Sequence, residues 1–517
     1  MVNTAFKTYA NEHGGRVVVL FLLFLLALYQ FYSSGFSAYA ILCLTPLLAI
    51  AVIFSFRYRM FLFWLLFVIN YTIMMRDFPG TGLPVSLYNE IIEIILLIIA
   101  LIVVKDFPFN RIGNIMFGSL LLWCGFCTLE VLNNTCNLGI NVEAWYQGAR
   151  MMAFQLIYVF LVYTLYISTP KVLIRYLYIW GAFALFAVFW IWKQKNIGLT
   201  QAEQQWLYGP GKMTHIIQGG TLIRYFSIYS DAANCGVGIA STAVAFVIFG
   251  ITCKLKKIRI YFLAIGIACV WGIFPSGTRT AIACMMAGFI AYIFLSKSFK
   301  IAIPFTLVFG FLAFILVFTK IGNGNMQIRR MRSAFDRNDA SANVRTVNQK
   351  TMKKYMKEAP WGIGLGMYGQ QVPANNKYRL MSTIAADSEY VFIWLRTGKI
   401  GITLFLICTA IMLLGACRIV FFTLKNSSLR GIGAGMCCAF VSQQVGAYGN
   451  MVLLQFPNCL VFYGGLTIVF ILPHIEKTWI EYENNLLTIQ EEKRRLKLEK
   501  FEKNRVKPWY SWMYKYL

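Results

Sequence analysis

Apolar residues along this chain come in long blocks, each about the length of a helix that crosses a ~30 Å hydrocarbon layer. Fourteen such blocks fall at roughly 17–35, 37–55, 60–76, 87–104, 112–132, 148–168, 174–193, 232–250, 258–275, 279–296, 300–320, 399–417, 430–448 and 457–474. Polar residues gather between them. The pattern predicts an all-α polytopic membrane protein with about 12–14 transmembrane helices. The first block, Val17–Tyr32, is followed by no clean small-x-small cleavage site, and a second block begins almost at once. It is read as a retained span rather than a signal peptide.

The polar positions between blocks carry an orientation. With residues 1–16 placed in the cytoplasm, the inside loops hold Arg57 and Arg59; Lys105 and Arg111; Lys171 and Arg175; Lys254, Lys256, Lys257 and Arg259; Lys297 and Lys300; Arg418, Lys425 and Arg430. The short outside loops hold little basic charge, Arg76 beside Asp77, and Arg279. This alternation follows the positive-inside rule and puts both termini in the cytoplasm. Two outside segments are long, 194–231 and 320–398.

The second long segment has a pattern of its own. "SANVRTVNQKTMKKYMKEAPWGIGLGMYG" predicts a helix over Ala342–Glu358, closed by Pro360 and a Gly-rich turn, with Val344, Val347, Met352, Tyr355 and Met356 as its apolar face. "DSEYVFIWLRTG" predicts a second short element leading into the next span. Beyond Pro473, Ile475, Trp479, Tyr482, Leu486 and Ile489 step at heptad-like spacing, and "PWYSWMYKYL" ends the chain in aromatics. Residues 475–517 therefore read as a cytoplasmic amphipathic helix with an interfacial anchor.

Composition agrees: 58% of the 517 residues are hydrophobic and 13% are charged, against about 25% charged in soluble domains. An ordinary soluble protein is thereby excluded. The formal net charge is +27, and the orientation rule accounts for only part of it. Lys320 to Lys399 hold fourteen Lys and Arg against five acids, a net of +9 on the predicted outer face. An anionic ligand or anionic lipid head groups would each account for this excess. Thirteen cysteines are present, nearly all within or at the ends of spans; Cys124-Gly-Phe-Cys127 reads as packing.

Two short stretches carry candidate chemistry. "FPSGTRTAIA" (274–283) sets Arg279 at the lip of two apolar blocks. The plain reading is a snorkelling arginine. The other is a phosphate grip by its planar fork of donors, with Ser276, Thr278 and Thr280 adding hydroxyls at a helix N-terminus. In "LIRYFSIYSDAANCGVGIA", Arg224 precedes an extended stretch, and Asp231 and Asn234 stand at the mouth of the next span. Asp231 reads equally as a helix cap and Asn234 as a helix–helix contact.

Taken in order, "RYFSIYSDAAN", "SGTRTA", and the loop bearing "NVRTVNQKTMKKYMKEAPWGIGLGMYG" and "DSEYVFIWLRTGKIG" resemble the bacterial O-antigen ligase and O-antigen polymerase superfamily over residues 220–425. The resemblance implies an integral membrane glycosyltransferase, independent of metal and cofactor, on the outer face of the inner membrane. It would move a glycan from an undecaprenyl diphosphate carrier to an acceptor sugar. The external loops lack clustered carboxylates for a divalent ion, in keeping with this. The resemblance implies that Arg224, Arg279 and Arg345, with Ser276, Thr278, Asp231 and Asn234, meet the diphosphate or glycan. Ligases of this superfamily show a His-Asn pair where this chain has Asp387-Ser388. Asp387 is therefore the expected acceptor-activating base, with helix capping as its plain role and Glu389 as its rival. The departure favours a polymerase of cell-surface polysaccharide repeat units over a ligase to a lipid core.

Expected partners are the undecaprenyl diphosphate-linked oligosaccharide, an acceptor glycan or lipid core, and membrane lipids, with a flippase and a chain-length regulator as candidates; nucleic acid is not expected. A lipid-linked oligosaccharide flippase or exporter is the reading from another class. It calls for charges inside the spans and an internal twofold repeat, and no clear repeat is visible in the sequence.

Overall fold

The structure, a computed structural model, describes residues 56–77, 86–103, 108–217, 222–297, 324–332 and 340–505, together with isolated positions elsewhere. The predicted cytoplasmic segment 1–16, the spans at 17–35, 37–55 and 300–320, and the terminal aromatic stretch lie, isolated positions apart, outside the described residues. The chain divides into two compact units, 1–65 and 66–517. The described part of the first is helical from Arg59 to residue 65, the opening turns of helix α1 (Arg59–Thr72).

The second unit is built from helices. α2 (Ser86–Val103), α3 (Ile115–Leu132), α4 (Val142–Tyr166), α5 (Pro170–Asn196), α7 (Ala232–Thr252), α8 (Lys256–Ser276) and α12 (Glu389–Thr423) are long and apolar enough to cross a membrane. So is the helical run Cys459–Lys497, most of which belongs to α14 (Gly464–Arg505). α9 (Arg279–Leu295) and α1 are apolar but shorter. α13 (Ser427–Gly449) is a 23-residue helix of lower hydropathy. Its sequence explains this. "GIGAGMCCAF" is small-residue rich, and the helix is buried on nearly every side against α7, α9, α12 and α14, which small residues permit by close approach. The protein is thus an all-α, multi-pass membrane protein.

Helix starts follow the local chemistry. Thr169 caps α5 with Pro170 at its first position. Asn114 caps α3, Asn426 caps α13, and Thr200 with Glu203 forms a capping box on the short α6 (Gln201–Tyr208). The segment predicted as two elements before residue 417 is one continuous run broken only at Gly398, whose φ of 67° is left-handed. A Cβ there would lie 2.0 Å from the carbonyl oxygen of Pro360, so only glycine lets the loop cross the helix.

At one end of the helical bundle, the segment 345–398 folds over a core of its own. Met352 and Met356 of α11 (Ala340–Met356) pack with Ile363, Met367, Tyr378, Met381 and Leu395, and with Cys136 from the loop after α3. The observed helix thus starts two residues before the predicted one and stops two before its end. Arg396 is buried, stacks 4.1 Å over Tyr368 and bonds the Met367 carbonyl, which ties this loop to α12. A second small core of Leu207, Phe226 and Ala232 fixes α6 and a two-stranded hairpin, β1 (Ile216–Ile217) and β2 (Leu222–Ile223), against the start of α7.

At the other end, α14 runs on past its apolar part without interruption. Glu476 accepts the backbone N–H groups of Lys425 and Asn426 (both 2.7 Å), and Glu483 meets Asn426 (2.8 Å) and Lys254 (3.4 Å). The predicted amphipathic tail is therefore the continuation of the last span, docked on two turns. Its seam residues Ile475 and Trp479 are buried there, whereas Ile489 further along is exposed.

Candidate anion site at the turn between two helices

Only two residues separate α8 from α9. Gly277, at φ 58°, ends α8 in the left-handed conformation that L side chains rarely adopt, and its N–H returns to the Phe274 carbonyl at 3.1 Å. Ser276 is fully buried and donates to the Ile273 carbonyl at 2.7 Å, so its hydroxyl serves the turn. Thr278 is the extended N-cap residue of α9 and Arg279 its first helical residue. Arg279 thus stands at the positive end of the helix dipole.

Arg224 is brought to the same turn by the hairpin. β1 and β2 pair Ile216 with Ile223, and the next rung sets the Arg224 N–H on the His215 carbonyl at 2.9 Å. The Tyr225 N–H reaches the Pro275 carbonyl at 3.2 Å, pinning the strand to the end of α8. The guanidinium donates from Nη1 to the Thr214 carbonyl (2.9 Å) and from Nη2 to Thr278 Oγ1 (3.1 Å), and its Nε is buried without a hydrogen-bond partner among the described residues. Thr278 Oγ1 in turn donates to the Ala232 carbonyl at 2.5 Å. Burial, and then the nearby Arg330, Arg279 and Arg345, push the Arg224 pKa down to about 10, with Asp231 acting in the opposite sense.

These groups line a cavity of about 270 Å³, formed by Met213, Thr214, Ile217, Arg224, Gly277, Thr278, Arg279, Thr280, Arg330, Arg345 and Asn450. Among the described residues, four arginines face it and no carboxylate does. Guanidiniums gathered on one small volume beside a helix N-terminus form the chemistry of an anion site, and the planar fork of each suits phosphoryl oxygens.

One wall leads to the carboxylates. Asp387 Oδ2 is 3.9 Å from Arg345 Nε, and both side chains are about two-fifths exposed, at 39% and 38%. Ser388, not Asp387, occupies the N-cap position of α12; no side chain caps that helix, and the Ser388 hydroxyl donates to the Ala447 carbonyl at 3.0 Å. Glu389 is buried and accepts the Leu453 N–H at 3.0 Å, holding the segment after α13. Asn450 joins the two halves: its Nδ2 donates to Thr280 Oγ1 (3.1 Å), and its carbonyl accepts the Glu389 N–H (3.3 Å).

The remaining candidates are placed differently. Asp231 accepts the N–H groups of Ala233 (2.8 Å) and Asn234 (2.9 Å) and caps α7. Asn234 is fully buried and bonds Ser230, the Phe456 carbonyl and Asn458, a contact between α7 and the segment before α14. Neither lines the arginine cavity. Sequence reasoning singled out neither Arg330 nor Asn450 as a site residue. The signal for Arg330 was "MQIRRMR", three arginines on the seven-residue helix α10 (Met326–Arg332); for Asn450 there was none beyond its place at the end of a span. Among the described residues no group of three or more His, Cys, Asp or Glu could hold a metal ion.

Residues 264–406 match the O-antigen ligase family. The matched stretch carries Arg279, Arg330, Arg345, Asp387 and Glu389, while Arg224 and Asp231 precede it. A search of curated protein sequences returns no match to this chain. The family match supports kinship with the O-antigen ligase and polymerase superfamily, and with it a ligase- or polymerase-type activity in polysaccharide biosynthesis.

Proposed function

With an O-antigen ligase segment carrying the arginine turn, we propose that the chain extends a cell-surface polysaccharide by taking a glycan from undecaprenyl diphosphate and joining it to an acceptor sugar at the outer face of a bacterial inner membrane. The observation that carries this reading is the convergence of Arg224, Arg279, Arg330 and Arg345 on one cavity that no carboxylate lines among the described residues. A diphosphate leaving group gains negative charge as the glycosidic bond breaks, and preorganised cations at that point lower the barrier. On this reading residues 194–231 and 320–398 face outward and both termini are cytoplasmic.

The chemistry is a single displacement. The acceptor hydroxyl oxygen attacks the anomeric carbon, and the bond from that carbon to the phosphate oxygen breaks. The electron pair leaves with undecaprenyl diphosphate, and the hydroxyl proton passes to the Asp387 carboxylate. One displacement inverts the anomeric configuration. Asp387 is favoured over Glu389 because it is accessible, whereas Glu389 is buried and occupied by the Leu453 N–H. The absence of the ligase-type His-Asn pair at Asp387-Ser388 favours polymerase over ligase.

The purified chain in proteoliposomes, supplied with the lipid-linked repeat unit of its host, tests the reading. A ladder of extended glycans with inverted linkages is expected. Movement of the donor across the bilayer without any new glycosidic bond would favour the exporter reading instead.

A further inference from the structure

His215 is buried at the end of the single turn Lys212–His215, just before β1. Its Nε2 lies 2.9 Å from the N–H of Ala232, the first residue of α7. A backbone amide only donates, so Nε2 presents its lone pair and the ring proton sits on Nδ1. There the Thr214 hydroxyl lies at 2.7 Å and the Gly211 carbonyl at 3.2 Å. Trp206 and Phe226 pack edge-on against the ring, with centroids at 4.7 and 5.8 Å. Asp231 takes the next two amides of α7, so His215 and Asp231 together satisfy the first three orphan donors of that helix.

From this imidazole a closed ring of hydrogen bonds reaches the cavity. The Ala232 carbonyl accepts the Thr278 hydroxyl (2.5 Å), and that oxygen accepts Arg224 Nη2 (3.1 Å). Arg224 Nη1 returns to the Thr214 carbonyl (2.9 Å), and its backbone N–H to the His215 carbonyl (2.9 Å). Both ends of Arg224 are therefore held by the two residues whose place the imidazole fixes. We propose that His215 is a positioning residue for the arginine cavity: by accepting the Ala232 N–H it locks the 214–215 carbonyls that aim Arg224 at the bound diphosphate. The inference rests on reading the cavity as a diphosphate site. His215 touches no reacting atom, and its ring nitrogens are fully engaged by the protein. The structure thus gives the first long loop, outside the O-antigen ligase match, a share in donor binding.

The test compares three variants of the full chain in nanodiscs, with inorganic pyrophosphate as the probe in titration calorimetry. His215→Gln can place a carbonyl oxygen where Nε2 stood. His215→Met keeps the bulk without a strong acceptor. His215→Asn reaches the Nδ1 partners but not Ala232, and supplies the same comparison should the Met variant not fold. His215→Met and His215→Asn are expected to lose tenfold or more in pyrophosphate affinity, with His215→Gln within threefold of the parent chain. The donor KM should rise in parallel while the acceptor KM stays within twofold, a split that general loosening of the fold would not produce. Parental affinity in His215→Met and His215→Asn, or a His215→Gln variant as weak as they are, overturns the inference and leaves the diphosphate reading standing. No pyrophosphate binding by the parent chain overturns both.

Discussion

Two arginines in this molecule, one buried and one half-buried, are handled in opposite ways. Arg150, in α4, lies 3.4 Å from Glu90 of α2 and donates to Ser86 at 2.8 Å, and Glu90 also accepts from Tyr146 at 3.2 Å. A π-turn at Arg150–Phe154 lets Arg150 and Gln155, five residues apart, both face α2, where Gln155 bonds Glu93 at 2.7 Å. In a regular helix they would diverge by about 140°. Arg224 is only half-buried, its nearest partners are a carbonyl and a hydroxyl, and its charged neighbours in the cavity, among the described residues, are arginines. The difference separates two uses of a guanidinium. The first is matched within the protein and holds two helices together; the second, on the proposed reading, meets an anion from outside.

That contrast can be broken at either pole. The largest effect is expected beside the arginine cavity. Asp387→Asn should slow transfer by on the order of 10²–10⁴ in kcat, the range for loss of a general base, with Glu389→Gln showing instead a lowered melting temperature. Near-parental turnover of Asp387→Asn would remove Asp387 from the chemistry.

At the matched pole, Arg150→Met leaves Glu90 buried without its cation and should cost about 3–5 kcal/mol of stability. Adding Glu90→Leu should recover most of it. Chemical denaturation in a mild detergent measures both, and a stable Arg150→Met single variant would dissolve the comparison. Arg224→Met should do the reverse, with parental stability and lost transfer.

A smaller effect follows from His215. Burial, and then Arg224, lower its pKa from 6.5 to about 4. Its charged form is disfavoured in the fold, so the unfolded chain binds more protons between these values. Stability is then fully present above pH 6.5 and falls as the pH drops toward 4. His215→Gln should flatten that part of a melting-temperature profile, and an unchanged slope would contradict the assignment of a neutral ring.

Much of the fold was legible because hydropathy reports burial in lipid directly. The described spans lie where apolar blocks lie, and Pro170, Asn114 and Asp231 mark helix starts through their own chemistry. α13 was legible as a span only because its polar residues are few; its small, buried surface shows why low hydropathy suffices there. The tail read as a separate element because its composition changes, yet Pro473 does not stop α14.

In the site, Arg279 stood out as a cation at the lip of two apolar blocks, and Arg345 entered only through the family resemblance. The resemblance already set Arg224 beside them; the share of Arg330 and Asn450 was not legible, since it depends on a hairpin register and on loop crossings at Gly277 and Gly398 that leave no periodic signal. No motif in the sequence assigns His215 a duty. Only the distance from Nε2 to the Ala232 amide gives it one.

The most direct test of the account is transfer from the purified lipid-linked donor by Arg279→Ala and Arg279→Lys, with folding checked by melting temperature. A preorganised donor facing developing charge is worth about 10²–10³ in kcat, so Arg279→Ala should lose transfer by that order without loss of stability. Arg279→Lys should recover little, because an ammonium cannot reproduce the bidentate fork. Full transfer by Arg279→Ala would contradict the account and leave Arg279 a snorkelling residue at a helix end.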